Sequence, residues 1–274
     1  MEVIDLIKDA FLFPSKNVKV LLIYIILAIL VGGLSTTGIL TYALGFVVPE
    51  GFLWGGLAVV IAMVIGWVMS GYLISVIKSG IDLDDEVPEF VWWDNFITGF
   101  DNFIVSIVYF IIPAFIVAVV GYATNIYGNI MTVAMAIVAE AQGAYLGTSV
   151  IAYDAIAQAM VNLVFALATT LTVALVLFVI FSFLQTMAEA RLANTGSLSE
   201  ALNVFEAAKD IKRIGIAKVI IVILLIFVVV AVIEMVLSAV YSYVPFLSIL
   251  SVIVGPYLVF FAQRAVGLLY SDIA

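Results

Sequence analysis

The sequence predicts an all-α, polytopic membrane helical bundle of about six transmembrane helices, arranged as three hairpins with cytoplasmic amphipathic helices. Three observations carry this prediction. The chain of 274 residues is 66% hydrophobic and 11% charged, with a mean hydropathy of +1.33, whereas soluble domains carry roughly a quarter charged residues. Six apolar segments are each long enough to cross a hydrocarbon core of about 30 Å at about 1.5 Å per residue. All ten lysines and arginines fall on one side of the membrane that those six segments define.

The first segment covers residues 18–35, and the apolar stretch 38–48 either continues it or lies on the outer surface. Pro49-Glu50-Gly51 then breaks the pattern, as Pro and Gly clusters do. The remaining segments are 52–77, 103–122, 160–183, 216–240 and 246–269. Residues 1–17 mix acids with lysines, and the following apolar run is long for a signal peptide and lacks a small-x-small exit. A retained first span is therefore expected.

The cations orient the bundle. Lys8, Lys16 and Lys19 flank the start of the first span, and Lys78 follows the second. Arg191, Lys209, Lys212, Arg213 and Lys218 lie between the fourth and fifth, and Arg264 sits near the far end of the sixth. The positive-inside rule then puts both termini in the cytoplasm of a multi-pass protein of the cell membrane. Acids weigh little in that rule, so the net charge of −9 is compatible with it. The chain is expected to be a single integral membrane domain, 1–274, with a variable outer excursion at about 124–158. That stretch is Ala-rich and moderately apolar. A surface or partly embedded helical excursion is favoured over a re-entrant segment or two short extra spans, either of which would leave the orientation intact.

Three amphipathic segments each precede a pair of spans. In the first, Val3, Ile4, Leu6, Ile7 and Phe11 form an apolar face ahead of Pro14. In the second, Asp82, Asp84, Asp85 and Glu86 precede Pro88 and Glu89, which are helix-start signals. Trp93, Phe96, Ile97 and Phe100 then recur at helical spacing, and Trp92 and Trp93 suit the water–lipid boundary. A helix from Pro88 lying in the interface is predicted, with the acidic run as the solvated loop that caps it. In the third, Asn194-Thr195-Gly196 ends a span and Ser197-Leu198-Ser199-Glu200 reads as a capping box. Leu198, Leu202 and Phe205 mark its apolar face. Lys209, Lys212 and Arg213 follow as interfacial anchors, either enforcing topology alone or holding anionic lipid headgroups at about 1 kcal/mol each. The three segments share a short element: Asp9-Ala10-Phe11, Asp94-Asn95-Phe96 and Glu200-Ala201-Leu202. This suggests three hairpins of related plan.

Chemistry-bearing residues are few. Cysteine and histidine are absent, which excludes disulfides, thiolate nucleophiles, Ser-His triads and metal sites built on those ligands. No phosphate loop, dinucleotide fingerprint or nucleic-acid-like basic patch is present, and no cofactor is expected. Glu234 is the acid lying well inside a span, about 24 Å beyond Lys218 at helical rise, with Ser238 and Ser242 on the same face. Intramembrane carboxylates are functional candidates by default. Arg264 lies about 28 Å down the sixth span from Pro245, near the inner boundary, so it is not expected to pair with Glu234. The candidate polar site is Glu234, Ser238, Asn162 and Ser251, with Ser248 and Gly255 as further possible liners. Pro113 and Gly255-Pro256 are expected kink points. The patterns Gly51-x-x-x-Gly55 and Gly66-x-x-x-Ser70 permit close helix approach.

Two stretches resemble the uncharacterised prokaryotic integral membrane proteins, archaeal and bacterial, of domain-of-unknown-function family 4013. The first contains Gly71-Tyr72-Leu73, Val76-Ile77-Lys78, Pro88-Glu89-Phe90, Trp93-Asp94, Gly99, Val108-Tyr109 and Pro113. The second contains Arg191, Gly196 and Glu200-Ala201, then Pro245-Phe246 and Gly267-Leu268-Leu269-Tyr270; Asp9-Ala10-Phe11 with Pro14 also fits. The resemblance implies a multi-spanning membrane fold and brings no activity, cofactor or site residue. The sequence therefore favours a non-enzymatic membrane protein with a structural, assembly or lipid-organising role, whose partner is the bilayer. The alternative is a small transporter with a polar path near spans four to six.

Overall fold

The computed structural model describes residues 1–146 and 153–274, with side chains outside 144–155. The described residues form α1 (Val3–Leu12), α2 (Val18–Leu44), α3 (Glu50–Ile81), α4 (Trp92–Ala123), α5 (Ile126–Leu146), α6 (Tyr153–Thr195), α7 (Leu198–Ala201), α8 (Val204–Ile214), α9 (Ile216–Tyr243) and α10 (Ser251–Tyr270). Two 3₁₀ turns, Phe13–Lys16 and Pro245–Leu250, lead into α2 and α10. Among the described residues there is no strand. Six helical stretches are long and apolar enough to cross a membrane: Val18–Leu44, Glu50–Ile81, Trp92–Ala123, Ile156–Thr195, Ile216–Tyr243 and Pro245–Tyr270. The protein is an all-α multi-pass membrane protein.

The chain divides into two compact units, Met1–Ser106 with Leu184–Ala274, and Ile107–Phe183. In the first, α3 is the spine. It packs along α2 and α10, and glycines set how closely. A Cβ on Gly55 would lie 2.3 Å from the Tyr42 backbone nitrogen on α2. A Cβ on Gly71 would lie 1.8 Å from the Asn95 carbonyl of α4, and one on Gly99 would lie 1.7 Å from the Trp67 carbonyl. A Cβ on Gly267 of α10 would meet the Ile77 carbonyl at 2.1 Å. Each contact is backbone against backbone, which a side chain forbids. The expected motif at Gly51 and Gly55 is thus used. The one at Gly66 and Ser70 is not, because Gly66 faces open space; Ser70 instead accepts a hydrogen bond from the Asn102 side chain at 2.9 Å.

Around Tyr72 lies the aromatic core. Its ring stacks on Phe90 with centroids 4.0 Å apart, and Phe260 and Tyr24 close the other sides. The Tyr72 hydroxyl donates to the Pro88 carbonyl at 3.0 Å. These contacts correct the helix start expected at Pro88. The backbone there is held extended over Tyr72, and α4 begins four residues later at Trp92. α4 then runs without interruption into the third span, so no separate interfacial helix forms. Trp67 on α3 packs against Phe96, Phe100 and Phe103 of α4, while Trp92 and Trp93 stay exposed.

Other boundaries shift for equally local reasons. The stretch 38–48 mostly continues the first span, as α2 extends to Leu44. Gly196 ends α6 with φ of 63°, donating its N–H to Leu192, as expected of a C-terminal glycine. The capping box does not form: the Ser197 hydroxyl contacts that of Ser199 at 3.0 Å, and the Glu200 carboxylate accepts from Arg191 instead. α7 is therefore a single turn. Asn203 caps the next helix, its side chain accepting from the Glu206 N–H at 3.2 Å. On α1, the buried face is Leu6, Ala10 and the following Phe13, with Ile4 turned outward.

In the second unit, Phe110 packs against Phe178 and Tyr109 against Phe181, and the Thr124 and Thr170 hydroxyls lie 3.4 Å apart. The excursion contributes α5, a helix of 21 residues. Residues 147–152 and the side chain of Asp154 lie outside the described residues.

Candidate functional site

Two arginine-centred clusters of charged residues form in the first unit. Arg264, on α10, is 1% exposed. Its Nη1 donates to the Asp84 carbonyl at 2.5 Å and to the Ser79 hydroxyl at 3.3 Å. Its Nη2 reaches Asp9 of α1 at 3.3 Å and Asp85 at 3.6 Å. The guanidinium also lies over the Phe13 ring, 4.4 Å from its centroid. Planar, charged and weakly hydrated, guanidinium suits such a buried position. Lys16 adds to the cluster through Asp85 at 3.0 Å and Asp9 at 3.7 Å. The Lys16 hydrogen bond and charge hold the Asp85 carboxyl below its ordinary pKa. The acidic run is thus a clasp for Arg264 and Lys16 rather than a cap for α4, and Arg264 is enclosed by protein rather than lying on the lipid boundary.

Arg191 centres the second cluster. It binds Glu200 at 2.7 Å and Asp210 at 2.8 Å. Asp210, on α8, has a side chain only 1% exposed and also accepts from Arg213 at 3.1 Å and from the Tyr270 hydroxyl at 2.8 Å. One carboxylate thereby ties the end of α6, α8 and the end of α10 together. Nearby, Lys218 pairs with Asp272.

The other face of α8 looks outward. Phe205 is 82% exposed, and Lys209, Lys212 and Arg213 are exposed beside it. Lys209 reaches back to Glu206 at 2.5 Å, which lowers the Glu206 pKa, chiefly through that hydrogen bond.

The three shared elements Asp9-Ala10-Phe11, Asp94-Asn95-Phe96 and Glu200-Ala201-Leu202 are alike in one respect. Their middle residues, Ala10, Asn95 and Ala201, are all buried. Their acids differ. Asp9 pairs with Arg264, and Glu200 pairs with Arg191. Asp94 is exposed. Lys78 stands near the end of α3 as Arg191 and Arg264 stand near the ends of α6 and α10. Among the described residues its ammonium has no hydrogen-bond or ion-pair partner. It lines a cavity of about 240 Å³ together with Ser75, Thr98, Asn194 and Thr195.

The family model described as "Protein of unknown function (DUF4013)" matches residues 54–242. The chain belongs to this family. No curated protein and no solved structure matches the chain. The matched stretch of the family contains Lys78, Arg191, Glu200 and Asp210, but ends before Arg264.

The residues expected to form an intramembrane polar site are placed as follows. Glu234 and Ser238 are exposed on α9, and Ser251, also exposed, donates to the Ser248 carbonyl at 2.6 Å. Asn162 belongs to the second unit, where it accepts from Gln158 at 3.0 Å on the same helix. Neither the Lys78 cavity nor a shallow apolar one along α6, lined by Leu171, Phe178 and Ser182, includes any of the four. The arginine clusters went unread because a cation near a span end carries no sequence mark of its partner. Asp9 and Arg264 are 255 residues apart. The shared triplet was the one available signal.

Proposed function

We propose that the protein is a non-enzymatic, lipid-organising protein of the cell membrane, with both termini in the cytoplasm and α8 holding anionic headgroups. The observation that carries this reading is the two-sided construction of α8. Its inner face is fixed by Asp210 to Arg191, Arg213 and Tyr270. Its outer face presents an exposed phenyl ring with the exposed Lys209 and Lys212. An apolar ring with flanking cations is the pattern of a helix lying at the headgroup boundary. Elsewhere in the unit, Asp9 and Asp85 pair with Arg264, and Glu200 pairs with Arg191, which favours a scaffold over a reaction centre. Orientation is supported by the ten cations and the positive-inside rule.

The test is lipid retention by the full chain. Purified protein reconstituted into nanodiscs of mixed neutral and anionic lipid should enrich the anionic species around it. The Lys209→Gln/Lys212→Gln variant should lose most of that enrichment, at about fivefold per cation. Equal enrichment by the variant and the wild type would sink the reading.

A further inference from the structure

We propose that the cavity at Lys78 is a binding site for a phosphoryl anion, supplied by the headgroup of an anionic phospholipid. The proposal deepens the lipid-organising reading and rests on it. The two other hairpins each place an acid from the amphipathic element against the cation near a span end: Asp9 on Arg264 and Glu200 on Arg191. In the middle hairpin the corresponding acid, Asp94, is exposed, and Lys78 faces a cavity without a carboxylate. The chain leaves one cation of three for an external anion.

The cavity has the chemistry for it. Ser75, Thr98, Asn194 and Thr195 line it beside Lys78; the Thr195 hydroxyl already donates to the Arg191 carbonyl and the Ser75 hydroxyl to that of Gly71, which leaves the Lys78 ammonium, the Thr98 hydroxyl and the Asn194 amide as donors. Such groups donate to phosphoryl oxygens, and a lysine is an ordinary phosphate binder as a point charge. The Ser75 hydroxyl lies 3.4 Å from the Asn95 Oδ1 behind it. Asn95 is itself buried and does not line the cavity. A volume of about 240 Å³ is several times the roughly 30 Å³ that one water occupies, and it accommodates a phosphodiester.

The experiment is native mass spectrometry of the full chain in neutral detergent, titrated in one arm with phosphatidylglycerol and in the other with inorganic phosphate. Wild type should retain one phosphatidylglycerol more tightly than the rest. Lys78→Gln, at an exposed side chain, should weaken that one by about fivefold, the equivalent of about 1 kcal/mol for one cation. Lys78→Arg should keep it. Inorganic phosphate bound as tightly, and lost in Lys78→Gln, would support the site while assigning it to a soluble phosphoryl compound. Lys78→Gln binding both probes like wild type would overturn it. The Lys209→Gln/Lys212→Gln variant separates the two readings. If it alone loses lipid, the α8 face stands and the Lys78 site falls; if Lys78→Gln alone loses lipid, the reverse holds.

Discussion

Arg264→Ala perturbs the closure between α1 and α10, and its cost can be worked from the contacts. The charged hydrogen bond to the Asp84 carbonyl, at 2.5 Å, contributes about 1.5–3 kcal/mol. The guanidinium over Phe13 is desolvated, 4.4 Å from the ring centroid, and adds about 1–2 kcal/mol. Asp9 is 31% exposed, so its pair adds only about 0–1 kcal/mol. The total, about 2.5–6 kcal/mol, brackets the roughly 3–5 kcal/mol that removing one partner from a buried charged cluster usually costs. Arg264→Met should cost less, because a side chain of similar length keeps the packing on Phe13 and no longer carries a charge that must be desolvated. Asp9→Asn should cost no more than about 1 kcal/mol. The assay is equilibrium unfolding in mixed micelles, with protease cleavage between α1 and α2 as a local readout. Arg264→Ala should also raise cleavage of that linker, which the buried Phe13, the Lys16–Asp85 pair and the Tyr257 hydroxyl bond to the Phe11 carbonyl at 2.6 Å would still hold in part. A loss within about 0.5 kcal/mol of zero for Arg264→Ala, or an equal loss for Asp9→Asn, would refute the reasoning.

Gly99→Val should push α4 off α3, since even a Cβ would lie 1.7 Å from the Trp67 carbonyl; loss of folded monomer in size-exclusion chromatography checks it, and Gly66→Val, in open space, is the control. Asn203→Ala should lower stability by about 1 kcal/mol through loss of the α8 cap, read as faster amide exchange over Val204–Ile214. The Asp85 carboxyl titrates below its ordinary pKa because of Lys16, so its stabilisation is present above the unfolded value near 3.9 and is lost as pH falls through the depressed folded one. Lys16→Met should accordingly lower the melting temperature slightly at neutral pH, where the pair with Asp85 is formed, and converge on wild type in acid, which flattens the acid limb of the profile. Glu234→Leu, replacing an exposed acid within a span, should raise stability in a bilayer, because a charged side chain there is costly; a fall in unfolding free energy would show that Glu234 has a supporting role.

Composition and period were enough for the class of this fold. Six apolar runs of spanning length have few soluble alternatives, because lipid requires every backbone group to be satisfied within a helix. Gly196 and Pro49 mark breaks for reasons local to the backbone, so both were legible. Contacts between distant residues were not. Pro88 carries a helix-start signal, yet Tyr72 and Phe90 hold it extended. Ser197 and Glu200 carry a capping signal, yet Arg191 takes the glutamate. In both cases a local preference of about 1 kcal/mol yields to contacts with residues far away in the sequence or on a neighbouring helix. Gly66 and Gly71 look alike in sequence, and only the path of α4 decides which of them touches a neighbour. The ten cations show the same division. Their one-sidedness is a property of the sequence, since it depends only on counting spans. Which of them neutralise acids within the protein and which stay exposed depends on where helices far apart in the chain come together. Arg264 and Arg191 are enclosed by acids from the amphipathic elements, whereas Lys78, in sequence one more cation at a span end, faces a polar cavity.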